Sequence, residues 1–440
     1  MTTANFSQPQ LPPLPAYTLH PLPSLVSWMP DSLLTLVLPI IAYWAVSGIF
    51  HFMDVYDLFP QYRLHTPAEV QKRNHVTRWE VLRDVVIQQI IQTLFGLVLA
   101  LIDEEATYGR EEYDVAWYAQ KIRLAQRAIP AVLATIGLNP GALATKFSAS
   151  QPMLAAALAG GQYPGLVQVA SVAGQQILTP AFAPWELRVA KIVYTFLVPA
   201  LQFAVGILIV DTWQYWLHRA MHVNKWLYAT FHSRHHRLYV PYAYGALYNH
   251  PFEGFLLDTL GTGLAYLVSG MTVRQSMWFF TCTTIKTVDD HCGYSLPLDP
   301  LQLITSNNAG YHDIHHQSWG IKTNFSQPFF TFWDRYLNTM WSGGDVATRY
   351  EKSRRHAQQK LDREQAGDMN ALSADSVTQS SASELDESTR SHPLSVRRAT
   401  RKKSSSISQT SAGNLKGLRN KVNESLHGKG GNVLGVESSH

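Results

Sequence analysis

Charge is what this sequence has least of. Only 15% of its 440 residues are Asp, Glu, Lys or Arg, against about 25% in an ordinary soluble domain. The shortage lies in one part of the chain, because residues 1–344 carry 20 basic and 21 acidic side chains whereas residues 345–440 carry 16 and 11. This distribution argues against a soluble globular protein and predicts a membrane-embedded body followed by a polar tail.

Other features that are scarce or missing in the sequence narrow the range of possible functions. Two cysteines, Cys282 and Cys292, are too few for a disulfide framework or a zinc ribbon. The body has almost balanced charge, which gives no reason to expect nucleic acid as a partner. No Gly-x-Gly-x-x-Gly follows a predicted strand, so the chain shows no nucleotide-binding fingerprint.

Long uncharged runs are the first positive feature. Residues 33–50, 85–102 and 192–210 each lack charged side chains and predict helices that span a bilayer. Residues 255–273 and 275–285 predict a tight apolar hairpin that turns near Gly270. Such a hairpin returns the chain to the side that it left, so the segments before and after it face one compartment.

The remaining segments have distinct compositions. Residues 1–30 are rich in proline and predict a flexible lead-in, and residues 31–345 form the body. Residues 128–185 hold one charge, Lys146, and six prolines, a composition that leaves an interfacial, a re-entrant and a packed insert all open. Residues 346–440 are rich in Ser, Lys and Arg and predict a disordered tail.

Histidine is concentrated in one region. Ten of the 18 histidines lie between His218 and His316. Three motifs contain most of them: His218-x-x-x-His222, a His-x-x-His-His run from His232 to His236, and a second such run from His312 to His316. Residues three and four apart lie on one face of a helix, so we expect each motif to point its imidazoles at one place.

This concentration of imidazoles predicts metal binding. Eight clustered imidazoles would repel one another when protonated and would waste hydrogen-bonding groups when buried and neutral. They exceed the four ligands of a structural zinc site and fit two metals, although imidazole suits Zn, Cu, Fe and Ni alike. A metal pair beside membrane helices favours oxygen chemistry on a lipid chain, because no side-chain acid or base removes hydrogen from an unactivated carbon.

The order of the three motifs, with apolar segments between them, resembles the membrane fatty acid hydroxylase superfamily. Four further stretches resemble the fungal sphingolipid C4-hydroxylases more closely. They are residues 42–51, residues 80–85, the Asp-Asp-His-Cys-Gly-Tyr of residues 289–294 and the Asn-Phe-Ser-Gln-Pro-Phe-Phe of residues 324–330. The resemblance covers about residues 20–345 and weakens in the insert and the tail. It implies an all-α integral membrane protein whose spanning hairpins carry a cytosolic, histidine-rich helical cap with a dimetal site.

The resemblance also implies a ligand set for a non-haem diiron centre. The implied ligands are His218, His222, His232, His235, His236, His312, His315 and His316, with His291 as a further ligand or, alternatively, an outer donor. Residues that could instead orient the ligands from outside are Asp211, His250, Asp289, Asp290 and Asp313. For His250 a place at a helix boundary or outside the ligands is favoured over a role as a ligand, and for Asp211 the competing interpretation is a place at the membrane interface.

The implied reaction is O₂-dependent hydroxylation at C4 of sphinganine or dihydroceramide, in the endoplasmic reticulum membrane. Electrons from NADH or NADPH would arrive through a cytochrome b5 and its reductase. Four basic residues near the motifs would dock that acidic donor or would mark the cytosolic side of the membrane: Arg219, Lys225, Arg234 and Arg237.

Other functions fit some of the same features. A sterol C4-methyl oxidase or C5-desaturase of the superfamily would use the same histidine motifs. A membrane zinc hydrolase needs fewer ligands, and the chain lacks His-Glu-x-x-His. A metal transporter would place ionisable residues inside its spans, whereas these histidines flank them.

Overall fold

The computed structural model describes residues 11–172 and 175–384, without the side chains of residues 170–175, 368 and 370–384. The chain forms two compact units, residues 1–367 and residues 368–440. In the second unit the described part is helical and ends at Glu384. All that follows concerns the first unit.

Helices dominate the described chain. The α-helices are α1 (Asp31–Val55), α2 (Pro67–Arg73), α3 (Arg78–Ile102), α4 (Glu111–Gln126), α5 (Ile129–Thr135), α6 (Pro140–Phe147), α7 (Pro152–Leu158), α8 (Pro184–Ile192), α9 (Val198–Val223), α10 (Lys225–Leu227), α11 (Pro251–Gly254), α12 (Leu260–Ser269), α13 (Val273–Asp290), α14 (Pro300–Ile304), α15 (Ala309–His316), α16 (Phe332–Tyr336) and α17 (Val346–Glu384). Short 3-10 turns lie at Pro60–Tyr62, His235–Arg237 and Ala243–Gly245, and π-helical turns at Val193–Leu197, Tyr228–His232 and Phe255–Thr259. Four short strands, β1 (His20–Pro21), β2 (Thr107–Tyr108), β3 (Val167–Val172) and β4 (Gln175–Pro180), pair as β1–β2 and β3–β4, both antiparallel.

Three helices of the described chain are long and apolar enough to cross a membrane. They are Asp31–Val55, Arg78–Ile102 and Pro184–Val223, the last built from α8, a π-helical turn and α9 without interruption. Each contains one of the uncharged runs found in the sequence. α3 begins with a reciprocal cap between Thr77 and Glu80, which satisfies backbone N–H groups at its first turn.

Two glutamine side chains of α3 contact other parts of the protein. Gln88 and Gln89 are buried. The Gln88 amide donates to the Thr259 hydroxyl at 3.4 Å, and the Trp44 indole donates to Gln89 at 3.0 Å. These bonds satisfy polar groups that lipid could not satisfy.

The predicted hairpin forms, and it turns where expected. α12 ends at Gly270, whose φ of 65° lies in the left-handed region that glycine adopts without strain. α13 then packs along α1, and α12 packs along α9. Neither arm is among the three helices long and apolar enough to span, because α12 has only ten residues and α13 contains several threonines. Thr281 and Thr283 donate to carbonyls one turn back, at 2.7 and 2.8 Å.

The insert between α4 and α8 contains the short helices α5 to α7 and the β3–β4 hairpin. Several of its prolines stand in the first turn of a helix, where the missing N–H is no loss. Glu111–Thr135 and Pro140–Phe147 together form a fourth candidate span, bent by 115°. The buried Arg123 of α4 donates to Glu186 of α8 at 2.6 Å and ties the two ends of the insert together.

Both ends of the body differ from the sequence-based expectation. The described part of the lead-in is attached rather than flexible: β1 pairs with β2, and the Pro12 carbonyl accepts from Gln120 at 2.7 Å. The tail begins with α17 instead of a disordered stretch, because Tyr350 and Arg354 of this helix bond to the body. Residues 1–10 and 385–440 lie outside the described residues.

Candidate metal centre

The first histidine motif stands at the end of a membrane helix. His218 and His222 lie one turn apart near the C-terminal end of α9. His218 is buried, and its Nδ1 bonds to the Phe325 carbonyl at 2.8 Å. α9 therefore carries this motif from the bilayer directly to the site.

The second motif lies on two irregular turns. His232 ends the π-helical turn Tyr228–His232, and His235 begins the 3-10 turn that follows. The Asn224 side chain caps this segment by accepting from the backbone N–H of Trp226 at 2.9 Å. His235 Nδ1 bonds to the Tyr248 carbonyl at 3.1 Å.

The third motif occupies α15, which Asn308 caps by accepting from the Tyr311 N–H at 2.9 Å. Nδ1 of His315 bonds to the Thr323 carbonyl at 2.7 Å, and Nδ1 of His316 to the Leu238 carbonyl at 2.9 Å. His291 follows the last residue of α13, and its Nδ1 bonds to the Thr287 carbonyl at 2.8 Å.

The structure gathers all nine of these histidines into two groups, in each of which the facing atoms lie within 4.8 Å of one another. The first group contains His218, His222, His232, His236 and His315. The second group contains His235, His291, His312 and His316.

This division corrects the expectation that each motif points at one place. In each His-x-x-His-His motif the first and last histidines join one group, and the middle histidine, His235 or His315, joins the other. At about 100° per residue, positions i+3 and i+4 of a helix diverge by about 100° even though both lie near position i. The second and third motifs each supply histidines to both groups, and in this sense the two groups are interlocked.

Within each group the Nε2 atoms face one another. In the first group His232 Nε2 lies 2.7 Å from His222 Nε2 and 3.1 Å from His218 Nε2. In the second, His312 Nε2 lies 3.0 Å from His291 Nε2 and 3.1 Å from His316 Nε2. Where a backbone carbonyl accepts from the Nδ1 proton of a neutral imidazole, the lone pair stands on Nε2 and points into the group.

Electrostatics favours these neutral forms. Burial lowers the pKa of His235 to about 4, and burial together with the neighbouring His235 lowers the pKa of His291 to about 3. Burial and adjacent imidazoles hold the pKa of His312 and His316 well below the usual range as well. His315 Nε2 is buried and has no hydrogen-bond partner among the described residues. Lone pairs that converge in this way are suited to binding metal cations, because one cation can accept several of them.

One carboxylate that sequence reasoning missed bonds directly to a histidine of the second motif. Glu253 Oε1 pairs with His232 Nδ1, and both side chains are buried. A carboxylate in this place orients the imidazole and raises its basicity toward a metal. Glu253 lies on α11, and no short spacing in the sequence connects it to the second motif.

Three of the acids expected to orient the histidines do not touch them. Asp211 accepts from the backbone N–H groups of Phe329 and Phe330, at 3.0 and 2.9 Å. Asp289 accepts from Gln302 at 3.2 Å. Asp290 pairs with Lys286, so its partner is a lysine and not one of the imidazoles.

The other two expected outer residues have different partners as well. Asp313 bonds to His65 at 2.9 Å and accepts from the Tyr350 hydroxyl. Burial lowers the pKa of His65, but the carboxylates of Asp313 and Glu69 outweigh it and raise that pKa to about 9. His250 caps α11 by accepting from the Phe252 N–H at 3.2 Å, a helix-boundary place that the sequence favours over a role as a ligand, and it belongs to neither histidine group.

A loop replaces these acids as the outer support of His218. Asp334, which the sequence analysis also missed, accepts from the backbone N–H groups of Phe325 and Ser326, at 3.1 and 2.6 Å. Together with Asp211 it fixes residues 325–330, whose Phe325 carbonyl holds His218. The acids act on the histidines through backbone, and sequence spacing does not reveal such contacts.

Two cavities meet beside the histidines. A small pocket is lined by His218, His232, His235, His291 and His312. A larger cavity of about 130 Å³ runs between α1, α3, α12 and α13, lined mainly by aliphatic, aromatic, threonine and glutamine side chains. Gln214, Asp258 and Thr287 line both, so the space between the membrane helices leads to the histidine pocket.

Comparison with known proteins agrees with this arrangement. The fatty acid hydroxylase family model matches residues 203–339, the stretch that holds all three motifs. The sphingolipid C4-hydroxylase SUR2 of Saccharomyces cerevisiae is 43% identical over 341 residues, which cover 78% of this chain and 80% of the relative. The chain belongs to the fatty acid hydroxylase family, among the sphingolipid C4-hydroxylases.

Other members of the family extend the likeness. The sphingolipid C4-hydroxylase sur2 of Schizosaccharomyces pombe is 40% identical, over 75% of this chain and 95% of its own length. The sphinganine C4-monooxygenase 1 of Arabidopsis thaliana is 38% identical, over 70% of this chain and 87% of its own length. No solved structure matches the chain.

Proposed function

We propose that this sphingolipid C4-hydroxylase family member hydroxylates C4 of a sphingoid long-chain base with O₂, and that its two histidine groups each hold one iron ion. The observation that carries the proposal is the junction between a cavity among membrane helices and a pocket lined by five of the nine histidines. The names of the relatives, at 38 to 43% identity, support the reaction.

The residues of the chain would hold and orient the metals. The facing Nε2 atoms of the two groups would be the ligands, and backbone carbonyls on Nδ1 fix the rotation of five of the nine rings: His218, His235, His291, His315 and His316. When bound, the iron pair would supply the oxygen activation that attack on an unactivated C–H bond requires. The interlocking of the second and third motifs holds the two groups next to each other.

The cavity would position the lipid. Its walls come from α1, α3, α12 and α13, so a chain lying in it is held beside the histidines at Gln214 and Thr287. Fixing one carbon against the metal pair is the main contribution that a protein makes to such a reaction. A hydroxyl group at C4 alone is the expected outcome.

Electrons would come from a separate donor, since the sequence shows no nucleotide-binding fingerprint. We propose a cytochrome b5 with an NADH- or NADPH-dependent reductase. Of the four basic residues expected to dock it, Arg234 pairs with Asp84 and Arg237 lies 3.9 Å from Glu80. Lys225 is exposed and has no acidic partner among the described residues, which makes it the best of the four for docking.

The experiment is expression in cells that lack phytosphingosine, followed by mass spectrometry of their lipids. Phytosphingosine or phytoceramide should appear only with the active protein. Oxidised sterols without a C4-hydroxylated base would favour a sterol oxidase instead. Elemental analysis of the purified protein should find iron, and zinc alone would contradict the diiron proposal.

A further inference from the structure

One acidic side chain at the junction of the two cavities has no cationic partner. Asp258 lies on the π-helical turn Phe255–Thr259 and lines both the histidine pocket and the membrane cavity. Its Oδ1 accepts from the Gln214 amide at 3.3 Å, and its Oδ2 accepts from the Asn249 amide at 3.2 Å. No Lys or Arg of the described ranges lies within ion-pair distance of it.

The place of this carboxylate, at the wall that both cavities share, distinguishes it from the other acids of the site. Four buried acids, Glu69, Asp84, Glu186 and Asp290, each pair with an arginine or a lysine of the chain, whereas Asp258 is half-buried and lines both cavities. The buried Asp211, Asp289 and Asp334 also accept from neutral groups, but they line neither cavity. Asp258 has two neutral amides, which fix the orientation of its carboxylate but do not neutralise its charge. A charge away from water is costly unless it is paired, so a cation that enters this cavity gains a partner already in position.

We infer that Asp258 binds the ammonium group of a free sphingoid base and thereby sets C4 against the histidine pocket; this inference rests on the proposed function. The base carries its ammonium on C2, and C4 is only two carbons farther along the chain. With the head group at Asp258, C4 lies next to the histidine pocket, and the rest of the chain extends into the membrane cavity.

The inference selects between two lipid substrates. N-acylation turns the ammonium group into a neutral amide, which gains nothing from a carboxylate. Hydrogen bonds and ion pairs to a charged group contribute roughly twice as much as those between neutral groups. The free base is therefore the preferred substrate, and the N-acylated base is the poorer one.

The test compares two substrates in the full-length protein, in membranes supplied with a reducing donor. The wild type should show at least about a tenfold higher kcat/KM for sphinganine than for N-acetylsphinganine, the equivalent of about 1.4 kcal/mol. Asp258→Asn keeps the size of the side chain and removes its charge. It should raise KM and lower kcat/KM for sphinganine by about 10- to 100-fold, with a change of less than about threefold for the N-acetyl substrate.

Asp103→Asn is the matched control. Asp103, which follows the last residue of α3, accepts from the hydroxyl of Tyr266 on α12 at 2.9 Å and lines neither cavity. This variant should keep the wild-type preference. Loss of both activities in equal proportion in Asp258→Asn would assign the residue a structural role and overturn the inference.

Wild-type protein alone also tests the idea, should Asp258→Asn fail to fold. An analogue of sphinganine with a hydroxyl in place of the amine should be hydroxylated at least about tenfold less efficiently. Equal use of the two compounds, or a preference for the N-acetyl substrate, would overturn the assignment and leave the proposed C4 hydroxylation intact. Hydroxylation of no sphingoid compound at all would instead refute the proposed function.

Discussion

At the scale of single residues, the two ring nitrogens of a histidine in the three motifs have different partners. Nδ1 of His218, His235 and His315 bonds to a backbone carbonyl, while Nε2 faces the other imidazoles. The carbonyl fixes both the ring position and the tautomer, because it accepts the only proton of a neutral imidazole. Replacing a single histidine should therefore remove one lone pair from one group and leave the other group assembled.

His235→Ala and His315→Ala should each abolish hydroxylation without preventing membrane insertion. Because His235 belongs to the second group and His315 to the first, we expect each variant to retain iron in the group that it leaves intact. Iron content per chain and product formation should be measured together. His356→Ala, which removes an exposed histidine on α17, is the control. Normal product from either test variant would refute the diiron proposal.

Glu253→Gln tests the carboxylate that bonds to Nδ1 of His232. Loss of its charge should weaken His232 as a ligand and lower metal affinity or activity by about 10- to 100-fold, the usual effect of an outer partner. Iron retention during dialysis against a chelator separates this from a folding defect. Glu253→Asp should recover part of the activity. A Gln variant with wild-type iron retention would show that the contact does not tune the site.

At the scale of helices and turns, the sequence predicts the long elements well and the irregular ones poorly. The three uncharged runs and the turn at Gly270 appear where the pattern places them, because a helix in lipid must be apolar and long. The division of each His-x-x-His-His motif between two groups was not predictable. It depends on a π-helical turn, a 3-10 turn and contacts with distant carbonyls, none of which has a periodic signal.

α17 shows a second limit of prediction from sequence. Few of its side chains are apolar, so composition predicts disorder, yet its first turns bond to the body. Tyr350 donates to Asp313, Arg354 donates to the Leu64 carbonyl at 3.1 Å, and Lys72 pairs with Glu364. Asp313 lies inside the third histidine motif. A specific polar contact of this kind cannot be deduced from composition.

Ending the chain at Arg355 should leave hydroxylation intact, because this variant keeps Tyr350 and Arg354. Ending it at Gly344 removes both, and Tyr350→Phe removes only the hydroxyl that Asp313 accepts from. We expect the Phe variant to lose about 1.5–3 kcal/mol of stability, as for a hydrogen bond to a charged group. Thermal unfolding in detergent should show this loss. An inactive but folded chain ending at Arg355 would mean that later residues take part in the reaction.

The insert depends on a buried ion pair. Arg123 donates to both oxygens of Glu186, and neither side chain is more than 7% exposed. Glu186→Gln leaves the arginine charge buried without its counter-charge, which should cost about 3–5 kcal/mol. Arg110→Gln, at the residue just before α4, is the control, because Arg110 is 53% exposed and its partner Asp114 is 26% exposed. A drop in unfolding temperature for both variants alike would contradict this account.

At the scale of the whole molecule, the two histidine groups are adjacent, so all three motifs must lie on one side of the membrane. The hairpin of α12 and α13 explains this, since it starts and ends beside the site. We propose that this side is the cytosol, where the electron donor would be. The exposed residues 342–345 follow the third motif, so a label placed there reports the side of the membrane on which that motif lies.

A glycosylation acceptor inserted into residues 342–345 should stay unmodified in cells. Gly320, closer to the motif, is unsuitable because a side chain there would meet the Ile314 carbonyl at 2.0 Å. Sensitivity of the acceptor to an endoglycosidase, measured as a shift on a gel, would place the histidine motifs in the lumen and overturn the proposed orientation. An acceptor on a known luminal protein in the same cells is the positive control.

The cavity between the membrane helices has a kinetic consequence. A site that opens among α1, α3, α12 and α13 draws its substrate from the surrounding lipid rather than from water. The rate then depends on the mole fraction of the base in the bilayer. Adding inert phospholipid at constant total substrate lowers this mole fraction and should therefore slow the reaction. The enzyme would thus respond to the composition of its own membrane.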